Sequence, residues 1–219
     1  MSHDWTVYWP IFQRLEDEVC ELTFFVAFSD DHRTVYSARL AELLLRTCAE
    51  CENIGKSLCI VRGLAPSGTK IEDFTFPTVG DTICSQLAIQ TKELSIIWAY
   101  QSFTARSITP FSAWLPSGSI NPDWFKAYNK VKHDRLANAK NANVWNVVNA
   151  LGGLFILNLC LREQDIVQQP EQHIHPAQMR IATYSRFFSP SGFLKVATVD
   201  GLSGPMSGSN LRGLVFDWK

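Results

Sequence analysis

One segment gathers residues able to hold a phosphate and move a proton: WFKAYNKVKHDR, residues 124–135. At 100° per residue, Trp124, Tyr128 and Val131 fall on one side of a helix, and Lys126, Asn129, Lys130 and His133 on the other. Asn129 and His133 stand four apart, so their side chains can meet across one turn. With Lys132, Arg135 and Lys140, the span 122–140 carries five positive side chains against Asp123 and Asp134. The whole chain has a formal net charge of −1, so this is a local cationic patch rather than a general attraction to polyanions. Such a patch suits phosphate contacts, and imidazole as a residue type can move protons near neutral pH. A plainer reading also stands: a solvated amphipathic helix whose basic residues answer the dipole at its C-terminal end.

Other motifs carry less chemistry. Cys48 and Cys51 have metal-ligand spacing, but no second pair follows, and on a helix both thiols join the apolar stripe. They read as buried core cysteines. His173 and His175 would share one face of an extended segment, without acidic or cysteine neighbours to complete a zinc site. Gly63 to Lys70 has Lys and Thr in the wrong order for a phosphate loop and follows a helix instead of a strand. Glu50 and Glu52 could face the basic segment across a bundle, although exposed carboxylates are the commoner outcome. No cofactor and no metal are expected.

The elements that position the segment are mainly helical. Pro10 to about Phe25 has apolar residues at helical spacing, with Pro10 suited to a first turn. Ser37 to about Arg62 has a capping serine, one apolar stripe, and Gly63 and Pro66 as stop signals. Residues 64–120 change character: Leu94 to Tyr100 is rich in strand formers, a short helix fits near 81–89, and an inserted β-hairpin or irregular elaboration is expected. Asn121-Pro122-Asp123 reads as cap, first residue and dipole partner of a third helix ending near His133 or Arg135. A fourth, at about 141–161, is the most apolar stretch; Gly152-Gly153 within it implies close approach of a neighbouring backbone. Asn146, Asn149 and Asn158 make it costly in lipid, so it reads as a core helix and no membrane association is expected. Phe193–Val199 and Leu214–Trp218 look like short strands of a tail.

Composition sets the class. A hydrophobic share of 46%, with 14 Phe and 7 Trp, supports a large core and excludes disorder. Charged residues at 19% are fewer than usual, which favours a buried oligomer interface. Six scattered cysteines and no secretory signal point to a reducing compartment, with the cytoplasm as the default.

The string Tyr128-Asn129-Lys130-Val131-Lys132-His133 resembles the signature of HEPN-type helical domains, in which an Arg-Asn pair is followed after three residues by His. Its placement at the end of a third helix, just before a fourth, is also similar to that family. The segments PDWFKAYNKVKHDR and NVVNALGGLFILNL resemble uncharacterised bacterial proteins of this helical type. The likeness covers about 10–62 and 121–162. Tyr128 departs from it, because the family has arginine there and active members are thought to use Arg and His from two subunits, without metal, to drive attack by an RNA 2′-hydroxyl.

The resemblance implies a mainly α, HEPN-like bundle over 1–163, with a β-containing insertion at about 64–120 and a C-terminal annex at 164–219 packed on the same domain. It implies RNA binding or metal-independent RNA cleavage, in a bacterial stress or anti-phage setting, by a homodimer. His133 would be general acid or base and Asn129 its orienting neighbour. Tyr128 would stand in the arginine position, with Lys126, Lys130, Lys132, Arg135 and Lys140 as phosphate contacts. A tyrosine carries no charge and stabilises a phosphorane-like transition state poorly; Lys130, Lys132 or Arg135 could substitute. The alternative is a non-catalytic interaction or sensor subunit that engages a protein partner through residues 64–120 or the annex.

Overall fold

The computed structural model describes residues 5–64, 70, 74–114, 121–168, 185–190, 194–196 and 214–216. It is mostly helical, with α1 at Trp5–Leu22, α2 at Ala38–Val61, α3 at Phe76–Leu87, α4 at Asp123–His133, a short α5 at Arg135–Asn138 and α6 at Val144–Gln168. Short strands accompany them: β1 at Phe28–Ser29, β2 at Leu94–Ile96, β3 at Gln101–Ser102, β4 at Ser107–Ile108, β5 at Phe188–Pro190, β6 at Leu194–Val196 and β7 at Leu214–Phe216.

α2 forms as its sequence dictates. Ser37 is extended and its hydroxyl accepts the Leu40 N–H, satisfying one of the orphan donors of the first turn. Gly63, at φ 62°, supplies the left-handed residue just beyond the other end. The stripe through Leu44, Cys48, Cys51 and Leu58 is wholly buried. α6 lies centrally: Val144–Arg162 is long and apolar enough to cross a membrane, and 83% of that stretch is buried inside the protein.

α1 begins earlier than Pro10 would suggest. The proline sits inside the helix, and the turn before it carries Trp9, whose ring packs on Phe12 and Phe155. Burying that indole outweighs the missing N–H of Pro10. The helix also stops at Leu22, three residues short of Phe25. At α4 the expected roles shift by one: Pro122 is the cap residue, and Asn121 caps nothing, its Oδ1 being buried without a hydrogen-bond partner.

Residues 74–114 contribute to the core. Trp114 is fully buried over α3, its indole N–H donating to Asp81 at 2.8 Å, and Phe76 packs on Trp114, Trp124 and Phe125. The glycine pair of α6 admits side chains, not a backbone: Ile108 and Pro110 close on Gly152, and Phe111 and Trp124 on Gly153.

The tail completes a sheet. β2 pairs antiparallel with β4 on one side and with β5 on the other, Ile96 opposite Phe188. β1 pairs parallel with β3, and β6 antiparallel with β7. Three consecutive acids of α1 hold these neighbours by different means. Glu16 is buried and accepts the Ser185 hydroxyl and the N–H groups of Arg186 and Phe187, the latter two at 3.2 Å. Asp17 pairs with Arg186. The buried Glu18 receives Arg14 at 2.9 Å and Arg39 and Arg46 at 2.7 Å each. The Arg46 hydrogen bond, with the charges of Arg39 and Arg14, holds the Glu18 carboxyl below the ordinary glutamate range.

Candidate nucleic-acid interface

The site is the C-terminal end of α4 and the turn that follows. Asp123 stands in the first turn of α4, and Lys130, Lys132 and His133 in the last, each where the helix dipole favours its charge. Trp124, Phe125, Ala127, Tyr128 and Val131 are buried, which fixes the rotation of the helix about its axis. Lys126, Lys130, Lys132 and His133 are consequently exposed, and Asn129 is half-buried. The expected two-sided helix is present.

Beyond His133 the chain turns without losing the basic residues. Asp134 adopts an extended conformation, and its carboxylate accepts the Ala137 N–H at 3.0 Å, starting α5. Arg135 and Lys140 are exposed on the continuation, beside Leu136, which is 93% exposed. A series of asparagines secures this turn. Asn141 Nδ2 donates to the Asn138 carbonyl at 3.2 Å, and Asn143 Nδ2 to the Lys140 carbonyl at 3.3 Å. Asn143 Oδ1 accepts the Asn146 N–H, and Asn146 Nδ2 donates to the Asn141 carbonyl at 2.8 Å. Reading the sequence for charge alone misses these positioning residues, although their density between 138 and 149 is a visible signal for turns and caps.

The cations are not equivalent. Lys126 is engaged by Asp123 at 3.1 Å. The Lys132 ammonium lies 5.1 Å from the centre of the Tyr128 ring. Its interaction with the Tyr128 hydroxyl raises the lysine pKa, and the charge of Glu52 on α2 adds to this. Burial pushes the Tyr128 phenol up, opposed by Lys132. Glu52 therefore does face the basic segment electrostatically, while Glu50 is half-buried with its carboxyl raised by burial.

Residue 128 is 3% exposed and directed into the bundle, so position 128 holds an aromatic ring inside the core. His133 is left in solvent at the helix end, with Asn129 one turn behind. This arrangement can hold phosphate oxygens and exchange a proton at one imidazole. It offers no guanidinium at position 128.

Cys48 and Cys51 are fully buried, and burial raises both thiols well above their ordinary value. Among the described residues no three His, Cys, Asp or Glu side chains gather where they could hold a metal ion. His173 and His175 lie outside the described residues, as does most of the Gly63 to Lys70 loop.

Comparison of the chain with protein-family models, with curated proteins and with solved structures returns no match.

Proposed function

We propose that the protein binds RNA through the basic end of α4 and the α5 turn, without cleaving it. The observation that carries this reading is that Lys130, Lys132 and His133 in the last turn of α4, and Arg135 and Lys140 just beyond it, are all exposed, with Lys126 exposed nearer the start of the helix. A protein of formal net charge −1 that concentrates cations in this way can release counterions from a polyanion locally. The choice of RNA over other phosphates comes from the resemblance to HEPN-type domains. Binding without cleavage is favoured by Tyr128, since a buried phenol supplies no positive charge to a transition state forming in solvent and any substitute would have to be Lys130, Lys132 or Arg135.

The test is fluorescence anisotropy with a labelled single-stranded RNA, and DNA of the same sequence, across a salt series. Wild type should bind RNA with strong salt dependence. Lys130→Glu combined with Arg135→Glu should weaken binding roughly tenfold or more near ~0.1 M salt and lower the log–log salt slope by about 2. Wild-type protein without salt-sensitive RNA binding would overturn the proposal in favour of the interaction-subunit reading.

A further inference from the structure

The basic turn after α4 is joined to a second segment. Tyr36, the residue before the Ser37 cap of α2, forms an antiparallel bridge with Asn143 at the end of that turn. Val144 N–H donates to the Val35 carbonyl at 3.0 Å and Trp145 N–H to the Arg33 carbonyl at 3.1 Å, which fixes the contact on either side. Residues directly opposite in an antiparallel pair raise their side chains on the same side, with β-carbons about 5 Å apart. The Tyr36 ring therefore stands beside the Asn143 amide, which donates to the Lys140 carbonyl at 3.3 Å.

Tyr36 is 54% exposed although its backbone is held by the bridge and by the capped start of α2. A ring on so fixed a backbone loses little conformational freedom on binding. The two segments that meet there, residues 34–41 and 135–146, contain Arg39, Arg135 and Lys140 and no Asp or Glu. Arg39 is engaged by Glu18 at 2.7 Å and Glu42 at 2.8 Å, so Arg135 and Lys140 are the cations that count. Of the acids that flank these segments, Asp30 pairs with Arg33 at 2.7 Å and Asp134 accepts the Ala137 N–H, while the exposed Asp31 opposes the two cations. The exposed Leu136 lies between Arg135 and Lys140 on the same turn.

Cations beside an exposed ring and an exposed aliphatic side chain match a nucleotide, which is anionic at its phosphate and apolar on both faces of its base. Proteins that hold single strands combine a cationic track with aromatic side chains on which bases stack. A duplex offers the phosphates but keeps the faces of its bases stacked on one another, out of reach of a side chain. Phosphate contacts alone would leave Tyr36 without a role in binding.

We infer that Tyr36 is the base-stacking residue of the basic site, so that the site takes unpaired RNA in preference to duplex. This rests on the RNA-binding reading and adds to it a residue from outside α4 and α5. The experiment is fluorescence anisotropy with a labelled single-stranded RNA and with the same RNA annealed to its complement, across a salt series, with circular dichroism as the check on folding. Wild type should bind the single strand roughly fivefold or more tightly than the duplex. Tyr36→Ala should weaken single-strand binding roughly tenfold while leaving duplex binding and the log–log salt slope unchanged, because it removes no phosphate contact. It should also remove most of the fluorescence change that a 2-aminopurine base in the strand shows on binding. Tyr36→Phe should keep both the affinity and that change, whereas Lys130→Glu with Arg135→Glu should lower the slope. Equal affinity for strand and duplex overturns the stacking role and leaves salt-dependent RNA binding standing, as does a folded Tyr36→Ala protein with wild-type affinity. Absence of salt-sensitive binding to either RNA overturns both readings. Binding to phosphatidylserine vesicles that is lost in Tyr36→Ala, while RNA affinity is unchanged, overturns the stacking role in favour of a lipid surface.

Discussion

Trp114 lies across Gly80 so closely that a β-carbon on the glycine would stand 1.7 Å from Cζ2 of the indole. The ring cannot retreat, because it is fully buried and its N–H is held by Asp81. Residue 80 is therefore glycine for the sake of the tryptophan.

Gly80→Ala should accordingly cost about 3 kcal/mol, toward the upper end of overpacking penalties, despite the gain in helix propensity. Thermal melting would register this as a fall of roughly 6–12 °C. Gly63→Ala is the control: that position has a left-handed φ of 62° but open space around it, so only backbone strain of about 1 kcal/mol should appear. Equal effects at the two positions would contradict the packing account.

Glu18 gives a prediction with a defined pH dependence. Its carboxyl is held below the ordinary glutamate range in the folded protein, chiefly by Arg46. The stabilisation it supplies is thus fully present above the unfolded value, about 4.3, and is lost as pH falls through the folded one. Glu18→Gln should cost about 1–3 kcal/mol at neutral pH, discounted from a buried pair because Arg14, Arg39 and Arg46 are 70%, 41% and 41% exposed. The gap between wild type and variant should close below pH ~4. Denaturant titrations at several pH values check it, and a gap independent of pH would contradict it.

Tyr128 separates the resemblance from the geometry. Tyr128→Arg introduces the residue type of the HEPN-type signature that this string resembles, but places a guanidinium in a site that is 3% exposed. Neighbouring Glu52 answers part of that charge, so the expected cost is about 2–4 kcal/mol, short of an unpaired buried ion. The variant should melt lower than wild type and should not gain RNA cleavage. Tyr128→Phe, which loses only the hydroxyl beside Lys132, should cost about 1 kcal/mol. Chelator-resistant cleavage by a stably folded Tyr128→Arg protein would contradict this and revive the catalytic reading.

Legibility in the sequence followed the range of the interactions involved. The cap at Ser37, the stop at Gly63, the apolar stripe that carries Cys48 and Cys51 and the two faces of α4 all show in residues within a turn or two of each other. The start of α1 was hidden because Trp9 is paid for by Phe155, far along the chain. The core packing of residues 74–114 is not legible in sequence, because Gly80 and Trp114 explain one another only when folded together. At the site, the cations and His133 were visible, whereas the inward direction of Tyr128 and the asparagine turn at 138–146 depended on hydrogen bonds and packing that charge patterning does not encode.

The buried carboxylate of Glu16 has its partners at residues 185–187, about 170 positions later. On the ribosome α1 emerges early, yet that carboxylate must stay in water until residues 185–187 have been made. The free edge of β2, which β5 must cover, waits equally long. Closing so wide a loop is entropically expensive and kinetically late. The helices can therefore assemble before the core is sealed, and a nascent chain stalled before Ser185 would present Glu16 without its partners and β2 with an open edge to any chaperone within reach.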